Sequence, residues 1–236
     1  MRPAKPDVEI SLDLTLDDIY NGCIKCIDYE KYDACPNCKG FGCLRTFSCI
    51  ECKGTGQVSS KRCTLCKGMG EFPLTQEKCP VCCGGCFSKQ AVKDFRIEIP
   101  AGISENSVLQ FHGQGNYVPT MKDYGALVVR IREVPHPVYR RDGADLLTDV
   151  RLSLRDALCG YSLNIAHLNG KSFSVKSPQG KITRPNDLVV VKGLGLPVYG
   201  DQKGKLGNLI IKLMVDFPPD GFFPQESIDL LNQILI

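Results

Sequence analysis

Four pairs of cysteines, each spaced by two residues and followed by glycines, carry most of the chemistry available to this sequence. They are Cys35-Pro-Asn-Cys38-Lys-Gly40-Phe-Gly42, Cys49-Ile-Glu-Cys52-Lys-Gly54-Thr-Gly56, Cys63-Thr-Leu-Cys66-Lys-Gly68-Met-Gly70 and Cys79-Pro-Val-Cys82-Cys83-Gly84-Gly85-Cys86. The shared template is Cys-x-x-Cys-x-Gly-x-Gly, with Cys86 standing where the fourth repeat would have glycine. Two thiolates on one tight turn can both reach a Zn²⁺ ion at about 2.3 Å. The glycines accept positive φ and let backbone N–H groups turn toward the sulfurs. Eight such thiolates make two closed tetrahedra, leaving no coordination position for a catalytic water. The predicted ligands are Cys35, Cys38, Cys49, Cys52, Cys63, Cys66, Cys79 and Cys82, holding two zinc ions. Spacing alone leaves the pairing open. A nested hairpin joins the outer four (Cys35, Cys38, Cys79, Cys82) and the inner four (Cys49, Cys52, Cys63, Cys66), but sequential pairing also fits.

The placement of the cysteines favours metal over disulfides. Thirteen of the fourteen lie between Cys23 and Cys86, and only Cys159 falls outside. A disulfide scaffold spreads its cysteines through a small domain poor in Val, Ile and Leu, whereas the rest of this chain is rich in them. Thioredoxin-like redox pairs come one or two to a βαβ domain, a context absent here. The segment 35–86 has little else to form a core, so its fold should depend on metal. Cys23 and Cys26 also have ligand spacing but lie in a strand-like stretch without following glycines. They read as structural, and Cys83 or Cys86 remains a possible substitute ligand in the irregular repeat.

The flanks must position this module. The stretch from Val8 to Leu16 alternates apolar and polar residues, the period of a half-buried strand, and Asp17-Asp18 opens a short helical turn ended at Asn21-Gly22. Ile27 and Tyr29 share one face of a second strand. After the module, Phe95, Ile97 and Ile99 share a face, and strands at 107–116 and 126–134 follow. The zinc module therefore reads as an insertion within one β domain. Pro135-His136-Pro137 marks a boundary, beyond which short β segments at regular spacing predict a second small sandwich or partial barrel. One helical turn is expected near Arg155–Gly160, and an amphipathic helix after Pro224 closes the chain on apolar residues. The expected class is mainly β, with two sandwich- or barrel-like domains, a cysteine-rich insertion in the first and a short C-terminal helix. The expected domains are 1–34 plus 87–137, 35–86, 138–223 and 224–236.

Catalysis and membranes find no support in the sequence. His112, His136 and His167 stand in separate segments without a nucleophile pattern, no phosphate-cradling loop leads into a helix, and Asp17-Asp18 reads as helix N-terminal charge. Apolar runs fall short of a membrane span, and no signal-peptide pattern opens the chain. The net charge of +3 is weak support for a nucleic-acid binder. Lys39, Lys53 and Lys67, one after each of three cysteine pairs, keep a zinc-ribbon nucleic-acid module as the alternative. Thiol–disulfide exchange is a third reading.

The four repeats, together with LTLDDIYNG, FRIEIPAGI, HPVYRRDGADLLTDVRLSLRDALCGY and GNLIIKLMVDFPPDGFF in that order, resemble the C-terminal part of type A (type I) DnaJ co-chaperones along nearly all of the chain. The resemblance implies zinc shared by repeats one with four and two with three. It implies a fragment that binds unfolded, apolar polypeptide segments and presents them to a DnaK-type ATPase chaperone, with a homodimer for the full-length parent and neither nucleic acid nor membrane as partner. A client segment would add as a strand to the first β domain and place an apolar side chain in a pocket that maps onto Val8, Ile27, Tyr29, Phe95 and Val129. A plain core role for these five is the competing reading. Three features depart from the family. No His-Pro-Asp motif or Gly/Phe-rich linker is present, the spacer from Lys53 to Arg62 is short, and the dimerising segment is expected to be missing or reduced to the last helix. Zinc-held thiols fit the cytoplasm, with an organelle or the endoplasmic reticulum lumen as the alternative.

Overall fold

Alternating apolar residues and capped turns become short strands and shorter helices. The computed structural model describes residues 5–74, 77–119, 121, 123–201 and 204–234. The order is β1 (Val8–Leu14), α1 (Leu16–Asn21), β2 (Cys23–Ala34), β3 (Thr46–Ser48), β4 (Gln57–Val58), β5 (Lys61–Arg62), β6 (Glu71–Pro73), β7 (Phe87–Ile99), β8 (Val108–Val118) and β9 (Asp123–Glu133). Then come β10 (Arg140–Asp142), β11 (Asp145–Ser153), α2 (Leu154–Cys159), β12 (Ser162–Ala166), β13 (Ser172–Lys176), β14 (Leu188–Pro197), β15 (Leu206–Asp216) and α3 (Gln225–Ile234). The fold is mainly β, with the cysteine-rich insertion and the short C-terminal helix in their expected places. No helix among the described residues is long and apolar enough to cross a membrane.

The chain divides into two compact units. The first comprises Met1–Leu14, Cys23–Ile99 and Ser104–Val134; the second comprises Thr15–Gly22, Pro100–Ile103 and Pro135–Ile236. These units are cut differently from the domain limits expected above, because Thr15–Gly22 and Pro100–Ile103 group with the second.

In the first unit β1, β9 and β8 form one sheet, with β1 parallel to β9 and β8 antiparallel to it. Val8, Ile10 and Leu12 stand opposite Leu127, Val129 and Ile131. Cross-strand neighbours share a face, so this row builds a core in which Leu14, Leu127, Val129 and Ile131 are all but fully buried, as is Ile97 of β7. The strands β2 and β7 form a long antiparallel ribbon whose register shifts between Ile27 and Tyr29. Ile27 pairs with Phe95 and Tyr29 with Val92, so the extra residue of a bulge lies in β7, where Asp94 has φ 54° and its N–H donates to the Asp28 carboxylate. The bulge turns Phe95 and Val92, three positions apart, to one side. The far end of this ribbon runs into the cysteine module.

In the second unit the sheet order is β10-β11-β15-β14, again with a parallel central pair, and Leu146 stands opposite Leu209. Both short helices belong to this unit and both are capped. Thr15 Oγ1 accepts from the Asp18 N–H while the Asp18 carboxylate accepts from the Thr15 N–H, and Ser153 Oγ accepts from the Asp156 N–H. This is why Thr15 and Ser153 start helices. Each helix ends at a glycine of positive φ, Gly22 at 69° and Gly160 at 100°.

Each half of the chain therefore repeats one motif. A strand leads through a Thr- or Ser-capped turn and a glycine into a hairpin, then into a strand broken at Gly113 or Gly193, and last into a strand parallel to the first. In the second copy the hairpin β12–β13 closes at once, through the turn His167–Lys171. In the first copy the corresponding ribbon β2–β7 opens to admit the whole module.

Candidate functional site

The module is a nested hairpin that brings the repeats together in two clusters. Cys35, Cys38, Cys79 and Cys82 form the outer cluster, and Cys49, Cys52, Cys63 and Cys66 the inner one, the four sulfurs of each lying within 4.8 Å of one another. Nested closure follows from the ladders between them. Thr46–Ser48 pairs with Glu71–Pro73, the Phe47 and Phe72 rings stack at 5.4 Å, and Gln57-Val58 pairs with Lys61-Arg62. The short spacer is closed by Ser59 and Ser60 at φ 49° and 63°, the two-residue turn that matches strand twist most tightly. Across each cluster the contacts repeat. Cys35–Cys79 and Cys49–Cys63 sulfurs are 3.9 Å apart, and Cys38–Cys82 and Cys52–Cys66 sulfurs 3.6 Å apart. The template glycines act as the sequence suggested: the N–H groups of Gly42, Gly56 and Gly70 donate to Cys38, Cys52 and Cys66 at 3.2 Å. A Cβ on Gly56 or Gly70 would lie 2.5 or 2.4 Å from the carbonyl oxygen of Gly68 or Gly54, so only glycine fits this approach.

Four thiols so close cannot all ionise without a cation. In the outer cluster the Cys82 backbone N–H, aided by the Asn37 amide, lowers Cys79 to about 6 against the effect of burial. Burial, with help from Cys82 and Cys35, pushes Cys38 up to about 12 despite the Gly42 N–H. In the inner cluster burial opposes ionisation of Cys52, but the Gly56 N–H and the Cys49 and Cys66 thiols outweigh it and bring the group to about 7. For Cys63 the Cys66 backbone N–H lowers the pKa, yet burial, Glu51 and the Cys66 side chain together raise it to about 12. Each cluster thus holds a readily ionised thiol beside a proton-retaining one. A soft divalent cation would relieve that arrangement, and two sets of four sulfurs with N–H support fit Zn²⁺.

The other cysteines stand outside both clusters. Cys23 and Cys26 are three apart on β2, and strand geometry puts them on opposite faces, which prevents a shared ion. Cys83 occupies the position of Lys39, Lys53 and Lys67, and all four have φ between 49° and 52°. That left-handed turn, absent from the sequence reading, gives the three exposed lysines a structural place in the repeat. Cys86 adopts φ 71°, close to the value of the glycines it replaces.

The five positions expected to line a pocket all lie in the first unit. Ile27 pairs with Phe95 across the ribbon, and the Tyr29 ring meets the Phe95 edge at 5.9 Å and 85°. Phe95 in turn meets Phe111 of β8 at 5.3 Å, and the Tyr29 O–H donates to the Gln114 carbonyl at 3.0 Å. Val8, Ile27 and Phe95 are half-buried, Tyr29 is 6% exposed and Val129 is fully buried; Ile27, Tyr29 and Phe95 come together on the ribbon, whereas Val8 and Val129 stand on β1 and β9 of the three-stranded sheet. Sequence reasoning missed the counterpart in the second unit, where Ile165 pairs with Phe173, His167 meets Phe173 at 6.2 Å and the His167 Nε2–H donates to the Leu194 carbonyl. The Asn169 N–H donates to Nδ1, which fixes that tautomer. This copy is more covered: Leu146, Ile165 and His167 are 0%, 7% and 6% exposed, Phe173 is half-buried, and the Tyr20 ring lies edge-on to His167 at 5.3 Å.

Comparison with known proteins matches this architecture. The model of the DnaJ C-terminal domain family matches residues 8–218. Human DnaJ homolog subfamily A member 2 is 32% identical over 61% of this chain and 34% of its own length. Mouse DnaJ homolog subfamily A member 4 is 29% identical over 95% of the chain and 59% of its own length. Chaperone protein dnaJ 3 of Arabidopsis thaliana is 29% identical over 94% and 55%. The chain thus spans between about a third and three fifths of these relatives. With residues 8–218 matched by the family model and two Cys₄ clusters nested in its first unit, the chain belongs to the DnaJ C-terminal domain family.

Proposed function

We propose that this chain is the client-holding part of a DnaJ-type co-chaperone, taking extended apolar polypeptide and passing it to a DnaK-type ATPase chaperone. The observation that supports the reading is the half-buried pair Ile27 and Phe95 beside Tyr29, on strands that still have an edge to offer. Both β1 and β2 have a single strand partner among the described residues. An extended segment added to such an edge gains main-chain hydrogen bonds, while one apolar side chain settles on the wall. The names of the relatives, DnaJ homologs and a chaperone protein, agree with this class.

Zinc is the metal we assign to both clusters. Cys35, Cys38, Cys79 and Cys82 would hold one ion and Cys49, Cys52, Cys63 and Cys66 the other. When bound, the ions would crosslink the module and offset part of the charge of its thiolates, and coordination closed by four sulfurs gives a structural role. Thiols held in this way suit a reducing compartment such as the cytoplasm. Binding of a fluorescent apolar heptapeptide, measured at low and high salt, tests the reading. Affinity independent of salt supports client holding. A steep loss with salt, or no binding except to nucleic acid, would favour the phosphate-binding alternative.

A further inference from the structure

The two clusters are alike in sulfur geometry; Cys86 replaces one donor glycine of the outer cluster, and a second difference lies at a side chain within reach of sulfur. Asn37 stands between Cys35 and Cys38, and Glu51 stands at the same place between Cys49 and Cys52. Each reaches across its cluster to the first cysteine of the partner repeat. Asn37 Nδ2–H donates to the Cys79 sulfur at 3.4 Å, whereas the Glu51 carboxylate accepts from the Cys63 thiol at 3.1 Å. The same place in the other two repeats is taken by Leu65 and Val81, which have no polar side-chain atom.

With a metal bound, sulfur is a thiolate. The Asn37 N–H then still supports Cys79, because an amide donates to an anion better than to a neutral thiol. The Glu51 contact changes sign and sets a carboxylate beside a thiolate, in a cluster whose four negative sulfurs already exceed the charge of a divalent ion. We propose that Asn37 and Glu51 set the two clusters apart in metal affinity, so that the inner cluster exchanges its ion first while the outer one retains it. This rests on the zinc assignment above and adds a division of labour: the outer ion fixes the base of the module, and the inner ion is the exchangeable one. Neighbours that hydrogen-bond to metal ligands change affinity by about 10–100-fold when removed, which sets the expected scale.

The test uses the full chain loaded with zinc and titrated with a chelator. An indicator dye follows metal release, while alkylation and mass spectrometry map the thiols set free. In the wild type, Cys49, Cys52, Cys63 and Cys66 should become reactive at lower chelator than Cys35, Cys38, Cys79 and Cys82. Glu51→Gln should move the inner midpoint to about 10–100-fold higher chelator, and Asn37→Asp should move the outer midpoint down by a similar factor. A common midpoint in the wild type, or an inner midpoint unmoved by Glu51→Gln, would overturn the proposal. A wild type that loads fewer than two zinc ions would overturn the zinc assignment itself, visibly, before any chelator is added.

Discussion

The two halves of the chain use one motif to opposite ends. In the first unit Ile27, Tyr29 and Phe95 form a wall that stays half open, with the Tyr29 phenol tied to Gln114. In the second unit Ile165, His167 and Phe173 take the same register, with the His167 imidazole tied to Leu194. There Ile165 and His167 are buried, Phe173 is half-buried as Phe95 is, and the Tyr20 ring lies edge-on to the histidine ring. The difference begins at the hairpin. A tight turn after His167 lets the second copy close on itself, whereas the bulge at Asp94 and the long ribbon beyond it carry the first copy into the cysteine module. A shared backbone plan therefore fixes where a wall forms. The connection inserted beside it, and the residues that cover it, determine whether the wall remains available.

The largest expected effect comes from removing what only the first copy has. The buried clusters of the module consist of cysteines, with Phe72 packed against the inner one, so its fold lacks a hydrocarbon core of its own. Chelation should remove an apparent stabilisation of about 10–16 kcal/mol from the module. Hydrogen exchange should then show loss of protection within 35–86 while β14 and β15 keep theirs. Equal loss in both units would mean that the module is no independent insertion. Acid should act in the same direction, because protons compete with metal for thiolates such as Cys38 and Cys63, which hold theirs up to about 12.

A smaller effect tests whether the two cores are equivalent. Leu127 and Leu209 occupy matching register positions and both are 0% exposed. Leu127→Ala and Leu209→Ala should each cost about 2–5 kcal/mol in urea denaturation, with zinc content unchanged. A small cost for one alone would break the equivalence. The finest comparison is between the caps. Thr15→Ala and Ser153→Ala should each cost about 0.5–2 kcal/mol, and to a similar extent, because each removes one side-chain acceptor while the Asp18 carboxylate can still accept from the backbone N–H of position 15.

Much of this was legible in the sequence because it is local. Cys-x-x-Cys-x-Gly-x-Gly specifies a turn and its donors within eight residues, and alternation from Val8 places β1. The turns at Asp17-Asp18 and Arg155–Gly160 could be read from short stretches closed by Gly22 and Gly160, while their caps, Thr15 and Ser153, were not read. What escaped was long-range or conformational. Local pattern does not say that β1 runs parallel to β9 or β11 to β15, since that choice is made between segments more than a hundred or about sixty residues apart. The bulge depends on Asp94 adopting positive φ, as the knuckles depend on Lys39, Lys53 and Lys67 doing so, and neither residue type announces it. The internal repeat did leave a trace. Leu14-Thr15-Leu16 and Leu152-Ser153-Leu154 each precede a turn ending in glycine, and Gly113-Gln-Gly115 echoes Gly193-Leu-Gly195. Aligning those anchors would have located the second wall.

Binding of an apolar heptapeptide to wild type and to Ile27→Asp, with zinc measured on both, addresses the open first wall most directly. A carboxylate at that face resists desolvation, so affinity should fall at least about tenfold, with two zinc ions per chain retained in both proteins. Unchanged affinity at intact zinc would contradict the account and place the client site elsewhere.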